Sequence, residues 1–178
     1  MRIVAGEAKG RRLSAPRSGT RPFTGRAKEA VFSSLHQHVA GSLVLDLFAG
    51  SGSLGLEALS RGAQSAVFVE NDRAAIAVLA DNLVSVGLGG DVVNADVERF
   101  LERDLRTYTL VFVDPPYAFA DERVDRVLGL VEDRLSEDGR IVVHRRAGGT
   151  VPESDNLQCT GRRRYGDSEI WIFEKEQP

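Results

Sequence analysis

The sequence is poor in the residues that build disulfide frameworks, zinc sites and membrane spans. Its only cysteine, Cys159, excludes an internal disulfide, and no histidine lies at zinc-ligand spacing from it. No apolar run approaches the roughly 18 residues that a bilayer span needs, and residues 1–6 lack the apolar core of a signal peptide. No internal repeat is present either. These absences predict a cytoplasmic protein with no metal and no membrane partner.

The length of 178 residues suits one domain with a sizeable core. Chains of this size bury roughly 70% of the surface that they expose when unfolded, and a second full domain does not fit. Hydrophobic residues make up 42% and charged residues 28% of the chain, as in ordinary soluble globular proteins. A monomer is the default expectation.

Positive charge is concentrated at the start of the chain. Of 23 Lys and Arg residues, eight fall within residues 1–28, where Glu7 is the only acid, whereas the rest of the chain carries 15 basic and 25 acidic residues. Clustered Lys and Arg side chains neutralise phosphates and release counterions, so a basic arm on an acidic body predicts a polyanionic partner. The alternative is a disordered tail that only aids solubility.

The arm has the pattern of a small structured unit followed by a linker. Residues 2–5 and 11–13 predict two short strands around a turn bounded by Gly6 and Gly10, and such a lone hairpin must dock on something to be ordered. Residues 15–24 predict a linker, and a helical spacing of apolar residues runs from Arg26 to His38, capped by Thr24 or Gly25. We therefore divide the chain into an extension, residues 1–24, and a main domain, residues 25–178.

The main domain alternates between two hydrophobic periods. Near-continuous apolar runs predict strands, and helical segments separate them, which is the pattern of an α/β protein with a mostly parallel sheet covered on both faces. After the fifth run, the chain predicts an antiparallel hairpin, giving seven strands. The predicted strands are residues 43–48, 65–70, 91–95, 108–114, 140–144, 157–165 and 168–174; the predicted helices are residues 53–61, 73–86, 97–103 and 121–135.

A glycine-rich turn connects the first parallel strand to its helix. The sequence GSGSLG at residues 50–55 fits the G-x-G-x-x-G pattern, in which glycines allow a tight turn and close approach of a ligand. The turn lies at the carboxyl edge of the strands, where open α/β sheets bind ligands. Taken alone, this pattern is also compatible with NAD.

Three carboxylates favour a different nucleoside cofactor. Glu70 closes the second strand, where it can accept hydrogen bonds from both ribose hydroxyls, and Asp96 follows the third strand, where an adenine amine can donate to it. Asp46, just ahead of the glycine turn, would repel a pyrophosphate but suits a ligand with an ammonium group. An acid-lined pocket of this kind predicts S-adenosylmethionine rather than NAD.

A second motif, Asp114-Pro115-Pro116-Tyr117, comes right after the apolar run at residues 108–113. Each proline fixes φ near −65° and lacks an N–H, so the backbone carbonyls here have set directions. A carboxylate, a bare carbonyl and an aromatic face at one spot suit a planar group that bears an amine. The alternative is a strand-ending turn with an exposed tyrosine.

Together these motifs resemble class I S-adenosylmethionine-dependent amino-methyltransferases, which share a Rossmann-like fold. Residues 45–63 (LDLFAGSGSLGLEALSRGA) and the motif at residues 114–117 carry that resemblance. Residues 2–6 (RIVAG), 9–13 (KGRRL), 21–22 (RP) and 26–32 (RAKEAVF) resemble, more narrowly, the small bacterial family that methylates the N2 amine of one guanine in 16S ribosomal RNA. The resemblance runs nearly end to end.

The resemblance implies a role for each matching residue. It implies that 16S RNA or the small-subunit ribonucleoprotein is the substrate, with the target base flipped onto Tyr117 and its amine held by Asp114 and the Pro115 carbonyl. It also implies an RNA-binding role for Arg2, Lys9, Arg11, Arg12, Arg21, Arg26 and Lys28. The implied cofactor residues are Asp46, Phe48, Ala49, Gly50, Ser51, Gly52, Glu70, Asn71, Asp96 and Val97.

Several alternatives stay open at this point. The same four-residue motif serves methylation of adenine or cytosine amines in DNA, although a chain this short leaves little room for DNA-reading segments. Methylation of cytosine C5 requires a thiolate, and Cys159 lies late in the chain outside any Pro-Cys motif. A binding module without activity would not need Glu70, Asp96 and Asp114 together.

The roles of His144 and of the C-terminal arginines also stay open. His144 is interpreted either as a strand-end residue or as part of the cleft. The arginines at 145, 146 and 162–164 read either as solvated charges or as an extension of the phosphate-binding surface.

Overall fold

A computed structural model describes residues 1–16 and 25–176 of the protein. Within those residues the chain forms seven strands and five helices, and no helix combines the length and apolarity needed to cross a bilayer. The strands are β1 Leu43–Leu47, β2 Ser65–Glu70, β3 Asp91–Asn94, β4 Tyr108–Val113, β5 Leu135–Arg146, β6 Leu157–Tyr165 and β7 Ser168–Lys175. The helices are α1 Gly25–Leu35, α2 Ser53–Ser60, α3 Arg73–Val86, α4 Val97–Leu101 and α5 Asp121–Glu132.

All seven strands belong to one sheet, in the order β3-β2-β1-β4-β5-β7-β6. Strands β1 to β5 are parallel, while β7 is antiparallel to both β5 and β6. The α/β sheet with a C-terminal antiparallel hairpin, predicted from the sequence, is confirmed. The chain leaves β1 toward β2 on one side and later returns to β4 on the other side. This reversal creates a crevice at the carboxyl ends of β1 and β4, where open α/β sheets bind ligands.

Alternate residues of the strands build two separate cores. Val44, Phe68 and Phe112 face the layer that contains α1, α2 and α3, whereas Leu45 and Val111 face the layer that contains α4 and α5. Because successive strand residues point to opposite faces, near-continuous apolar runs fill both layers at once. The same alternation decides whether a polar residue at a strand end points to the α1–α3 side or to the α4–α5 side of the sheet.

Element boundaries differ from the predicted ones mainly near α5 and α1. Helix α5 ends at Glu132 rather than at residue 135, because Leu135 pairs with Tyr108 and starts β5 five residues before its predicted beginning. Helix α1 ends at Leu35, and a short 3₁₀ turn over His36–His38 replaces its predicted last turn. Neither shift moves the carboxyl end of a parallel strand.

The N-terminal segment docks on the domain. It forms a single antiparallel bridge between Arg2 and Arg12 rather than two regular strands, and it buries Ile3, Ala8 and Leu13 in the α1–α3 core. Gly6 is required at the contact: its φ is +85°, and an added Cβ would lie 1.6 Å from the carbonyl oxygen of Ser60. The predicted need for docking therefore has a structural basis at the C-terminal end of α2.

A buried carboxylate holds this docked segment. Glu57 on α2 is fully buried and accepts hydrogen bonds from the backbone N–H groups of Val4 and Ala5, at 2.8 and 3.0 Å. It also forms ion pairs with Lys28 at 3.1 Å and with Arg61 at 2.8 Å. Burial lowers the pKa of Lys28, and the neighbouring Glu57 carboxylate opposes that shift. The sequence pattern gave no indication of this cluster.

Candidate active site

The side chains singled out from the sequence meet at the carboxyl edge of the sheet. Asp46 lies near the end of β1, Glu70 ends β2, Asp96 follows β3 and Asp114 follows β4. Strands β4 and β5 pair in parallel with Val113 opposite Val143, so the next residues, Asp114 and His144, are neighbours on one sheet face. The parallel topology thus brings four carboxylates and one imidazole to one edge.

The glycine turn after β1 has an unusual backbone. Phe48 has φ = 58°, a left-handed conformation that costs energy for a residue with a side chain and that clusters at functional sites. Gly50 and Gly52 have φ values of 55° and 75°. An added Cβ at Gly52 would lie 2.4 Å from Leu79, whereas at Gly50 it would meet only the Phe48 carbonyl at 3.9 Å. Gly52 therefore serves packing, and Gly50 leaves an open surface on the loop.

Further contacts fix the turn and link it to the motif after β4. The N–H of Ala49 donates to the Val69 carbonyl at 3.1 Å, and Ser51 is buried, with its carbonyl accepting from the Asn82 amide at 2.9 Å. The ring of Phe48 packs edge-on against Phe119, with centroids 4.9 Å apart. The two loops that flank the crevice therefore support each other.

Asp46 is a buried carboxylate beneath the turn. It is 1% exposed, and its Oδ2 accepts from the Gly55 N–H at 2.9 Å; no residue in the described ranges donates to its Oδ1. Burial raises the pKa of Asp46 well above its usual value, and the nearby negative charges of Asp114 and Glu70 raise it further, while the Gly55 hydrogen bond opposes the shift. A cationic group in the crevice would stabilise the ionised form.

Glu70 is oriented by the backbone around it. Its Oε2 accepts from the Gly50 N–H at 2.8 Å, and its Oε1 accepts from the N–H groups of Asn71 and Asp72 at 2.8 and 2.9 Å. Carboxylate oxygens have about four acceptor positions in total, so one remains for a ligand in this conformation. Asn71 is exposed beside it.

Asp96 caps the helix that follows β3. Its Oδ1 accepts from the Arg99 N–H at 3.2 Å, its Oδ2 lies 3.8 Å from Arg123, and Val97 is the first, buried residue of α4. An open cavity of about 430 Å³ lies against this helix. Its lining residues are Ala95, Asp96, Arg99, Phe100, Arg103 and Asp104.

The Asp114-Pro115-Pro116-Tyr117 motif begins where β4 stops pairing regularly. The carbonyl of Pro116 accepts from the Phe119 N–H at 2.8 Å and from Arg145 at 3.2 Å, whereas the Pro115 carbonyl receives no hydrogen bond from residues 1–16 or 25–176. Tyr117 is 41% exposed. The motif therefore presents a half-buried carboxylate, an unused carbonyl and an open aromatic ring.

His144, for which the sequence left two interpretations open, lies beside Asp114. Its Nδ1 lies 2.6 Å from Asp114 Oδ1, and its ring meets the Tyr117 ring edge-on with centroids 6.1 Å apart. The side chain is almost fully buried. In the sequence, His144 is recognisable only as a residue at the end of the fifth predicted strand. Its place beside Asp114 follows from the register of β4 and β5, which the sequence does not reveal.

Arg145 fits neither of the two interpretations that the sequence left open, a solvated charge or a phosphate-binding residue. Its guanidinium donates to the carbonyls of Pro116 and Phe119 and pairs with Asp121 at 2.7 Å. The side chain is buried and its donors are engaged, so it anchors the end of the motif instead of meeting phosphate.

The predicted RNA-binding residues divide into exposed and buried ones. Arg2, Lys9, Arg12 and Arg26 are exposed. Arg11 is also exposed and donates to the Ser85 carbonyl at the end of α3. Lys28 does not fit the prediction, because its side chain is 2% exposed and its ammonium is bound to Glu57 and to the Arg2 carbonyl. Arg21 lies outside the described residues.

The described residues contain neither a metal-binding cluster nor a cysteine next to the β4 motif. No group of three or more His, Cys, Asp and Glu side chains there is arranged to hold a metal ion. Cys159 is exposed on β6, three strands away from the β4 motif.

Comparison with known proteins gives consistent matches over the whole chain. The family described as conserved hypothetical protein 95 matches residues 1–174. Bacillus subtilis YlbH is 36% identical over 98% of this chain and 99% of its own. Escherichia coli ribosomal RNA small subunit methyltransferase D is 38% identical over 85% of this chain and 78% of its own. The solved structure of Escherichia coli yhhF has a TM-score of 0.89 at 32% identity and covers 100% of this chain and 99% of that one. The expected class I methyltransferase fold is confirmed.

Proposed function

Because this chain belongs to the conserved hypothetical protein 95 family, whose matched relatives include ribosomal RNA small subunit methyltransferase D, we propose that it methylates ribosomal RNA of the small subunit. The methyl donor is S-adenosylmethionine, and the acceptor is the exocyclic N2 amine of a guanine in 16S RNA. A ribosomal substrate places the reaction in the cytoplasm.

The acceptor set at the end of β4 carries the proposal. An exocyclic amine has two hydrogens, and the motif offers two acceptors, the Asp114 carboxylate and the unused Pro115 carbonyl. The amine of guanine is a poor nucleophile because its lone pair is delocalised into the ring. Two acceptors that hold its hydrogens favour a pyramidal nitrogen with its lone pair aimed at a methyl group.

The neighbouring crevice suits the methyl donor. S-adenosylmethionine, when bound, supplies a methyl group on a positively charged sulfur and carries an ammonium and an adenosine. The buried Asp46, whose Oδ1 accepts no hydrogen bond from the described residues, suits the ammonium. The remaining acceptor position of Glu70 suits the ribose, and Asp96 with Val97 suits the adenine edge. The open loop surface at Gly50 allows close approach. Phe48, Ala49, Ser51, Gly52 and Asn71 complete the loops around this pocket.

Placement accounts for most of the catalysis in this arrangement. Well-oriented groups gain up to roughly 7–11 kcal/mol over the same reaction between free molecules. Tyr117, exposed at the mouth, offers a stacking face for a flipped base, worth about 1–3 kcal/mol. His144 holds one oxygen of Asp114 and so fixes the direction of the other. Formation of the bond between the amine nitrogen and the methyl carbon breaks the methyl–sulfur bond, whose electron pair stays on sulfur. The nitrogen then loses one proton, which Asp114 is placed to accept.

The decisive experiment identifies the methylated nucleoside. The protein is incubated with tritiated S-adenosylmethionine and 16S RNA, small subunits that lack the modification, or duplex DNA, and the labelled nucleosides are separated. N2-methylguanosine from RNA is expected. Label confined to N6-methyladenine or N4-methylcytosine in DNA would overturn the substrate assignment.

A variant of the acceptor set tests the mechanism. Asp114→Ala removes one of the two acceptors, so methyl transfer should be lost while S-adenosylmethionine still binds. Calorimetric titration checks the binding, and the tritium assay checks transfer. Full activity of this variant would contradict the role of Asp114.

A further inference from the structure

The C-terminal hairpin extends the sheet face that carries the Asp114–His144 pair. His144 on β5 pairs with Ile170 on β7, and Ile170 pairs with Arg163 on β6. Residues paired directly across neighbouring strands point to the same face of a sheet. Arg163 therefore shares a face and a row with His144. Arg146, two residues after His144, points to that same face.

The acid partners of the hairpin arginines lie on the face opposite Asp114 and His144. On the opposite face, Arg145 pairs with Asp121 and Arg162 pairs with Glu169. On the Asp114 face, Arg146 and Arg163 are exposed, and neither forms an ion pair with any carboxylate of the described residues. Arg164, on the opposite face, also forms no ion pair in the described residues, but it lies directly across from Glu169. The row of Arg163, Ile170 and His144 contains no acid.

These arginines lie on the other side of the site from the basic arm. The arm meets α3, where Ser14 is bonded to Asn82 and Arg11 to Ser85, and α3 covers the β1–β3 side of the sheet. Arg163 lies three strands, or about 14 Å, to the other side of Asp114. That distance is too great for contact with the target base and suits the nucleic-acid backbone that flanks it.

We propose that Arg146 and Arg163 form a second phosphate-binding surface, which holds the RNA chain on the β6 side of the target nucleotide. The arm and this surface then bracket the site, so the RNA crosses the carboxyl edge of the sheet over Tyr117. This inference rests on the proposed function and adds the path of the substrate. Arg162 and Arg164, which point to the opposite face, do not belong to the surface.

Adjacent arginines provide a matched test. Arg163→Ala and Arg164→Ala each remove one exposed positive charge from the same strand, but from opposite faces. The affinity of each variant for 16S RNA is measured over a series of salt concentrations, and thermal unfolding checks that both are folded. Loss of one phosphate contact lowers the slope of log K against log salt by about 0.7 for single-stranded nucleic acid. We expect this loss for Arg163→Ala, about twice the loss for the Arg146→Ala/Arg163→Ala double variant, and none for Arg164→Ala.

The outcomes separate this inference from the function on which it rests. If the wild-type protein does not methylate 16S RNA, the proposed function fails. If it does, but Arg163→Ala and Arg164→Ala have the same salt slope, the second surface is refuted. A defect of Arg163→Ala on small subunits without a defect on free 16S RNA would also refute it, because the surface would then contact ribosomal protein.

Discussion

Replacement of His144 tests whether the imidazole holds the Asp114 carboxylate in its working direction. With a proton on Nδ1, His144 donates to Asp114 Oδ1 at 2.6 Å, and its side chain is almost fully buried. His144→Leu removes the donor and keeps an apolar side chain that packs. Hydrogen bonds to charged groups are worth about 1.5–3 kcal/mol. Since about 1.4 kcal/mol is a factor of ten in rate, kcat should fall roughly 10- to 150-fold.

Two further variants separate positioning from packing. In His144→Asn, the side-chain amide nitrogen is as many bonds from Cα as Nδ1, so it can reach Asp114 and should restore much of kcat. In His144→Gln, the amide nitrogen matches the far ring nitrogen and should not. Steady-state methyl transfer with 16S RNA gives kcat, and the KM for S-adenosylmethionine should stay unchanged, because the contacts of His144 with Asp114 and Tyr117 lie outside the loops after β1, β2 and β3. Full activity of His144→Leu, or equal defects in all three variants, would refute the positioning role.

Three other predictions concern stability and RNA binding. Glu57→Gln leaves Lys28 buried without its counter-charge and should destabilise the protein by about 3–5 kcal/mol in urea unfolding followed by Trp171 fluorescence. Adding Lys28→Met should recover part of that loss, and strictly additive losses would contradict the coupling. Burial raises the pKa of Asp46, so between its usual and raised values the folded state holds a proton that the unfolded chain has released. The stability of the ligand-free protein should therefore fall as pH rises through that window. Asp46→Asn should remove this contribution, so a stability difference between the two proteins that does not change with pH would contradict the assignment. Neutral substitutions of the exposed arm residues should leave the fold intact and lower the salt slope of RNA binding by about 0.7 for each lost contact; an unchanged slope would show that the arm is not a contact. The arm residues to be replaced are Arg2, Lys9 and Arg12.

The local pattern of apolar residues was sufficient to predict most strands and helices of the fold. The bounds of β2 and α3 agree with the predicted ones to the residue, because apolar runs and helical spacing are properties of consecutive residues. The start of β5 was missed, since residues 135–139 include two acids and a glycine and pair only through an irregular register with β4. The strand-end carboxylates could be predicted to lie together because the carboxyl ends of parallel strands meet at one edge of a sheet.

Polar contacts between distant segments could not be predicted in the same way. Lys28 was assigned to RNA from its position in a basic arm, but its partner Glu57 lies 29 residues later on another helix. Arg145 likewise looked available until its contacts with the loop after β4 were known. In both cases the charge was visible in the sequence and its burial was not.

The sequence by itself determined the parallel α/β sheet, the glycine turn, the set of strand-end carboxylates and the Asp-Pro-Pro-Tyr motif, because each depends on residue types within a short stretch of chain. Only the tertiary structure decided which polar groups are engaged. It placed His144 beside Asp114 and docked the N-terminal segment on Glu57. It also placed Arg146 and Arg163 on the face of the site, where no carboxylate of residues 1–16 or 25–176 pairs with them. The physical reason is register: pairing between strands that are far apart in sequence sets which side chains meet, and no local pattern encodes that pairing.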